Sequence, residues 1–170
     1  LPVKEIGFFG KLSNIDKVEK INVHKLITIV GASVFYEAQS LVEVNFDKDT
    51  VLEEIGNYAF EDCAKLEKIN LPSTIKSLGE GVFDGCSLLT YNEYEGAKYI
   101  GSTEKPYMLM MKGSDTATSC KVHEDCQVIY ASAFENNKNL VSITFESDND
   151  LYSIGDMSCI ACGRGRVRNN

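Results

Sequence analysis

The sequence predicts an α/β solenoid, β-rich, in which short parallel strands stack, short helical turns join them, and one hairpin insertion interrupts the stack. Three observations predict it: a phrase recurring every 23 to 25 residues, a strand pattern at a fixed offset from that phrase, and an apolar content of 44%. The phrase is clearest in "IGNYAFEDC" and "LGEGVFDGC", which close on Cys63 and Cys86. Its first residue recurs as Val30, Ile55, Leu78, Ile129 and Ile154, at intervals of 25, 23, 51 and 25. The aromatic five residues on keeps the same register as Phe35, Phe60, Phe83 and Phe134, with Cys159 in the last copy. An interval of 51 is two repeats plus a few residues, so an insertion disguises one copy. Self-similarity at a fixed period of this length marks a tandem array.

The strand element follows each phrase. Six residues after the Phe stands an aliphatic, with apolar residues three and five further on: Leu41/Val44/Phe46, Leu66/Ile69/Leu71 and Leu140/Ile143/Phe145. "KVEKINV" mirrors "KLEKINL" and puts Val18, Ile21 and Val23 in the same columns, so a unit around Ile6 precedes the first clear one. Apolar residues two apart point to one face of a strand. The "AFxxC" segment is too short for a regular helix and reads as a tight turn or a single helical turn that buries the Phe. One unit of ~23 residues cannot bury its own apolar side, whereas stacked units share a continuous core. About six to seven repeats fill residues 1–162 on this reading.

The insertion spans about residues 95–118. Counting back from Phe134, Cys126 falls in the column of Ile75, Val122 in that of Leu71 and Cys120 in that of Ile69, so "SCKVH" is a strand with His123 at the corner held by Pro72. "AKYIG" and "YMLMMKG" flank the polar turn "STEKP", a hairpin pattern. "YMLMM" is apolar on both alternations, so the hairpin either folds over one side of the coils or continues a neighbouring sheet.

Composition narrows the function. The net charge of −8 argues against nucleic acid or an anionic membrane as partner, because phosphate recognition needs concentrated Lys and Arg. All three arginines, Arg164, Arg166 and Arg168, lie in the last seven residues, so residues 163–170 read as a tail, disordered or appended, distinct from the array. No apolar run approaches the ~20 residues of a membrane helix, so this segment is not expected to insert. "LPVKEIGFFG" lacks Met and the features of a signal peptide, and reads as the start of an excised segment, so it says nothing about targeting of the parent protein.

Sites of chemistry are scarce. Cys120, His123 and Cys126 in "CKVHEDC" suggest zinc, but there is no close fourth ligand and no tight knuckle, and both cysteines fall on core columns. Buried thiols acting as small hydrophobes are the expectation. His24 and His123 occupy the same corner position, and nothing sets either beside a reactive thiol. "DKDTVLEE" lacks calcium-loop spacing, and "GEG" and "GRG" lie outside a strand–helix phosphate loop. No carboxylate pair stands out for acid–base work. The chain reads as non-enzymatic, with no cofactor and no metal.

"IGNYAFEDCAKLEKINLPSTIKSLGEGVF" resembles the BspA-type, or Treponema pallidum-type, leucine-rich repeat, with pattern IGxxAFxxCxxLxxIxLPxSVxx. The resemblance covers about residues 1–162 and recurs at least five times. The interruption is similar to those in such proteins of gut-dwelling Firmicutes. The resemblance implies a leucine-rich-repeat solenoid and a secreted or cell-surface protein of host-associated bacteria or parasitic protists, an adhesin or surface antigen with a protein ligand. The last unit, "IGDMSCIACGRGRVRNN", departs from the pattern: it loses the Phe and then any strand.

In such a solenoid the residues between the apolar strand positions point outward and align. They form the pairs Glu43/Asn45, Lys68/Asn70, Tyr91/Glu93, Ser119/Lys121 and Ser142/Thr144. These are either a protein-binding row or the solvated face of a sheet, and the insertion tip at Glu104 to Tyr107 is a second candidate. Tyr91 stands out, since exposed aromatics are enriched in binding hot spots. A structural function for the whole segment, as a spacer displaying another domain, is the alternative. Cys63 and Cys86 share a column with Ala38, Asn137 and Cys162, compact residues suited to a crowded inner ladder. A disulfide between the two remains open, because adjacent coils bring Cα atoms to ~5 Å.

Overall fold

The computed structural model describes residues 4–7, 10–135, 137–145 and 151–155, and the backbone of 166–168. The chain divides into two compact units, 1–90 and 91–170. The first contains β1 (Glu5–Ile6), β2 (Lys20–Val23), β3 (Ile29–Val30), β4 (Glu43–Phe46), β5 (Glu54–Ile55), β6 (Lys68–Ile69) and β7 (Ser77–Leu78). The second contains β8 (Asn92–Tyr94), β9 (Ala97–Ile100), β10 (Leu109–Lys112), β11 (Ser119–Val122), β12 (Val128–Ile129), β13 (Ser142–Phe145), β14 (Ser153–Ile154) and β15 (Arg166–Arg168).

The architecture is a β-solenoid of stacked parallel strands. In the first unit two parallel sheets run side by side, one ordered β1-β3-β5-β7 and the other β2-β4-β6. The register follows the repeat. Ile6 pairs with Val30, Val30 with Ile55, and Ile55 with Leu78, while Ile21, Val44 and Ile69 line up in the second sheet. The apolar columns close over a core in which Val30, Leu41, Leu52, Ile55, Phe60, Leu66 and Leu71 are fully buried. Phe35, Phe60 and Phe83 stack face to face across coils, with centroids 5.1 and 5.7 Å apart.

The α/β expectation is corrected here. Among the described residues the only helical element is a 3-10 turn at Ile15–Lys17. The phrase segments are turns, for a reason visible in their hydrogen bonds. Alternate N–H groups leave the segment for the next coil: Ser33, Phe35 and Glu37 donate to Asn57, Ala59 and Glu61, each at 2.9 Å. Tyr58, Phe60 and Asp62 likewise donate to Glu80, Val82 and Asp84 at 2.7–3.0 Å. The remaining N–H groups close tight turns, as in Tyr36 to Ser33 and Ala38 to Phe35. Such alternation requires a left-handed residue every fourth position: Ser33 and Glu37, Tyr58 and Asp62, then Gly81 and Gly85, all with φ between 55° and 75°. An α-helix would use every N–H internally and tolerates no such residue.

Glycine at the phrase's second position sets the coil spacing. A Cβ built on Gly56 would lie 2.7 Å from the Ala32 nitrogen and 3.0 Å from the Gly31 carbonyl carbon, backbone atoms of the preceding coil. Gly79 meets the backbone of Asn57 more tightly still. Only a residue without a Cβ allows backbone to lie on backbone at this point.

In the second unit, β11, β13 and β15 form one parallel sheet, with Cys120 opposite Ile143 and Val122 opposite Phe145. The other sheet is mixed, ordered β14-β12-β10-β9-β8. Its parallel part joins β10, β12 and β14, so Met110, Ile129 and Ile154 share a column. Its other part is an antiparallel meander: β9 pairs with β10 on one side and with β8 on the other. The β8–β9 connection is two residues, Glu95 and Gly96, both with positive φ (52° and 77°), the geometry that suits a twisted hairpin. "MLMM" is buried on both faces because β10 serves both parts of the sheet, while Tyr107 before it is half-buried.

The tail expected to lack structure is revised at Arg166–Arg168, where β15 pairs in parallel with β13, Arg166 opposite Ser142 and Val167 opposite Ile143. The interval from Ser142 to Arg166 is 24 residues, one repeat, so the strand column continues after the phrase has lost its Phe.

Candidate functional site

The outward positions of the strands are built by alternation. In β4, Val44 points into the core while Glu43 and Asn45 are half-exposed; Ile69 of β6 is buried between exposed Lys68 and Asn70. Register aligns Glu43 with Lys68. It also adds two residues that the sequence reading left out, Lys20 opposite Glu43 and Asn22 opposite Asn45. The mirrored "KVEKINV" and "KLEKINL" carried that signal, since the same alignment that places Ile21 also places its neighbours.

The first unit therefore presents two adjacent rows: Lys20, Glu43 and Lys68, alternating in charge, and Asn22, Asn45 and Asn70. Lys20 Nζ and the Glu43 carboxylate are 2.9 Å apart. The hydrogen bond and charge of Lys20, with lesser help from Asn45 and Lys68, hold the Glu43 carboxyl below its ordinary range, and Glu43 in turn raises Lys20. Both groups are exposed, so water screens most of this interaction.

In the second unit the parallel sheet aligns Ser119 with Ser142 and Lys121 with Thr144, and register extends these rows to Arg166 and Arg168. The Thr144 hydroxyl donates to the Cys120 carbonyl at 3.5 Å. Tyr91 and Glu93 stand elsewhere. Glu93 lies in β8 opposite Lys98 of β9, in the mixed sheet, and no strand pairing links β8 to β11. Their place in a single row with Ser119 and Lys121 is therefore corrected: Asn92 stands where the pattern wants an aliphatic, and the chain turns back as a hairpin. Tyr91 is 36% exposed, and the Lys98 ammonium lies 5.6 Å from its ring centroid.

The corner at His123 is an aromatic cluster. Tyr107 stacks on the His123 ring at 4.2 Å, Tyr94 meets its edge at 4.7 Å, and Tyr99 meets Tyr107 edge-on at 5.7 Å. Tyr107, at the end of the expected insertion tip, is thus packed against the coil strand. His24 and His123 do share a local role: each accepts through Nδ1 the N–H two residues on, Leu26 at 3.2 Å and Asp125 at 3.0 Å. A side-chain acceptor caps the corner turn in the manner of an Asx residue.

Cys120 and Cys126 are buried in the core of the second unit with Met110, Val122, Ile129 and Phe134. Burial pushes their thiols up to about 11 and about 12, which keeps both protonated at neutral pH. Among the described residues no group of three or more His, Cys, Asp or Glu side chains is arranged to hold a metal ion.

The compact column carries backbone-facing donors. The Cys63 thiol donates to the Phe35 carbonyl at 3.2 Å, and the Cys86 thiol to the Phe60 carbonyl at 3.1 Å. In the second unit Asn137 donates to the carbonyls of Ser114 and Ala117, at 2.6 and 3.1 Å. Ala38 is fully buried, and Cys162 lies outside the described residues.

The family model for the BspA type leucine rich repeat region matches six copies, over residues 9–104 and 108–164. No curated protein matches the sequence. Two solved structures are similar: the pneumococcal vaccine antigen PcpA, at 20% identity over 91% of this chain with a TM-score of 0.46, and a leucine rich cell surface protein from Faecalibacterium prausnitzii A2-165, at 15% identity over 99% with a TM-score of 0.42. The chain spans 40% of the first and 65% of the second.

Proposed function

The chain belongs to the BspA-type leucine-rich repeat family, and from that premise we propose that it is a non-enzymatic, cell-surface binding module whose ligand is another protein. The observation that carries this reading is the pair of aligned rows on the β2-β4-β6 sheet: charged Lys20, Glu43 and Lys68 beside Asn22 and Asn45, with Asn70 following β6 at the same repeat position. Rungs repeating every ~4.8 Å offer an extended polar surface with donors and acceptors at each step. Such a surface suits a host matrix protein or another surface protein. In this reading β8, β9 and the approach to β10 are an insertion that adds Tyr91 and Lys98 as a second contact area. The extracellular setting follows the family.

A second reading, a spacer with no ligand of its own, is favoured by the mutual pairing of Lys20 and Glu43, which leaves those charges satisfied within the sheet. Binding of the purified chain to immobilised collagen, fibronectin and laminin separates the two. The module reading expects saturable binding to at least one, weakened at least tenfold by Lys68→Glu and unchanged by Asp16→Asn, an exposed position outside both contact areas. Uniform silence across the three would support the spacer.

A further inference from the structure

We propose that Cys63 and Cys86 form an oxidation site, a buried dithiol that a small peroxide converts to a disulfide joining successive coils of the first unit. Both thiols are free, and each closes the same turn in its own coil: the Cys63 N–H donates to Phe60 at 3.2 Å, the Cys86 N–H to Phe83 at 3.1 Å. The residues just before them are hydrogen-bonded across the coils, Asp62 N–H to the Asp84 carbonyl at 2.7 Å. In-register Cα atoms at a coil spacing of ~4.8 Å fall inside the ~4.4–6.8 Å that a disulfide spans.

The Cys86 sulfur reaches down to the Phe60 carbonyl at 3.1 Å, the same oxygen that the Cys63 N–H uses. That shared acceptor sets the Cys86 sulfur over the backbone of Cys63. The Cys63 sulfur points the same way, to the Phe35 carbonyl at 3.2 Å, so closing the bridge turns the Cys63 side chain from that carbonyl toward the next coil. The nearness of Cys86 holds the Cys63 thiol below its ordinary range, while the nearness of Cys63, with burial, pushes Cys86 up. Either sulfur can make the first attack, and the product is the same disulfide with Cys63 attacking and Cys86 resolving or the reverse.

The chemistry balances with hydrogen peroxide as the two-electron oxidant. The Cys63 thiolate attacks one peroxide oxygen; an S–O bond forms, the O–O bond breaks, and the departing hydroxide takes a proton to become water. The Cys86 sulfur then attacks the Cys63 sulfenic acid. An S–S bond forms, the S–O bond breaks, and the leaving hydroxide takes the Cys86 proton as a second water. Bulky disulfide reagents reach neither sulfur without opening the coils, because Cys63 is fully buried and Cys86 nearly so.

Tryptic mapping tests the proposal on the folded chain. After peroxide treatment, alkylation and digestion without reductant, Cys63 lies in peptide 49–65 and Cys86 in peptide 77–98. The expected product is these two peptides joined, lighter by two hydrogens than their sum and separated by dithiothreitol. The joined form should also melt at a higher temperature than the reduced form, and reduction should reverse the shift. Recovery of the two peptides singly, alkylated or as sulfinic acids, would overturn the proposal. So would joining of either to a peptide carrying another cysteine.

Discussion

Replacing Gly56 by alanine places a methyl group where the preceding coil already stands. The new Cβ would lie 2.7 Å from the Ala32 nitrogen, 3.0 Å from the Gly31 carbonyl carbon and 3.1 Å from the Ala32 Cα. Each of these is backbone, so no flexible side chain can swing away. Restoring ordinary contact moves the coils apart by roughly 0.7 Å at this point. The bond from the Gly56 N–H to the Val30 carbonyl, 2.7 Å long, then stretches beyond useful geometry. Overpacking costs ~1–3 kcal/mol and the weakened bond ~1 kcal/mol. A stiffer unfolded chain offsets ~0.4–1 kcal/mol. The net loss is about 2 kcal/mol, roughly a thirtyfold change in the folding equilibrium and about 4–8 °C in Tm. Urea unfolding followed by far-UV circular dichroism measures it. A variant as stable as the parent, or more stable, would refute the claim that these coils pack backbone on backbone.

The remaining predictions use other parts of the repeat. Phe60→Ala should cost ~3–5 kcal/mol by the same unfolding assay, since the ring is fully buried between Phe35 and Phe83; a loss under 1 kcal/mol would remove the aromatic ladder from the account. Ser33→Gly should stabilise by about 0.5–1 kcal/mol, because Ser33 holds φ at 55° where Gly81 and Gly85 serve in their own coil. A destabilised variant would contradict the left-handed turn. Burial and then the charges of Asp62, Asp84 and Glu37 raise the carboxyl of Glu61 above its ordinary 4.5. A raised carboxyl favours folding below its unfolded value and loses that contribution as pH climbs through the folded one. Glu61→Gln should therefore stabilise at pH 7 in low salt, and the gain should vanish near pH 3 and shrink with added salt; a gain that persists at pH 3 would exclude a charge effect.

Where backbone geometry repeats with the sequence, the columns could be read directly. Ile55, Phe60, Leu66 and Ile69 each recur because each fills the same place in successive coils, so spacing alone reveals the strands, the aromatic column and the lost strand at Cys120. The helical-turn expectation failed because left-handed residues need not be glycine. Gly81 and Gly85 announce the conformation, but Ser33, Glu37, Tyr58 and Asp62 adopt it under the force of inter-coil hydrogen bonds that leave no mark on residue type. Counting places Tyr91 and Glu93 in a row with Ser119 and Lys121, and counting cannot see a chain reversal. The Glu95-Gly96 dipeptide that makes the reversal is a weaker hairpin signal than Asn-Gly or Asp-Gly. At the C-terminal end the phrase degenerates before the strand does, so the loss of the Phe hid the column reaching Val167.

Parallel stacking in one register underlies the rows, the compact column and the dithiol alike. Scalar couplings transmitted through hydrogen bonds, read by long-range HNCO spectroscopy on the deuterated chain, test it directly. The account predicts cross-peaks from the Gly31, Gly56 and Gly79 amides to the carbonyl carbons of Ile6, Val30 and Ile55, whose N···O distances are 2.7, 2.7 and 2.8 Å. Couplings from those amides to carbonyls four residues back, or to positions shifted along the neighbouring coil, would contradict it.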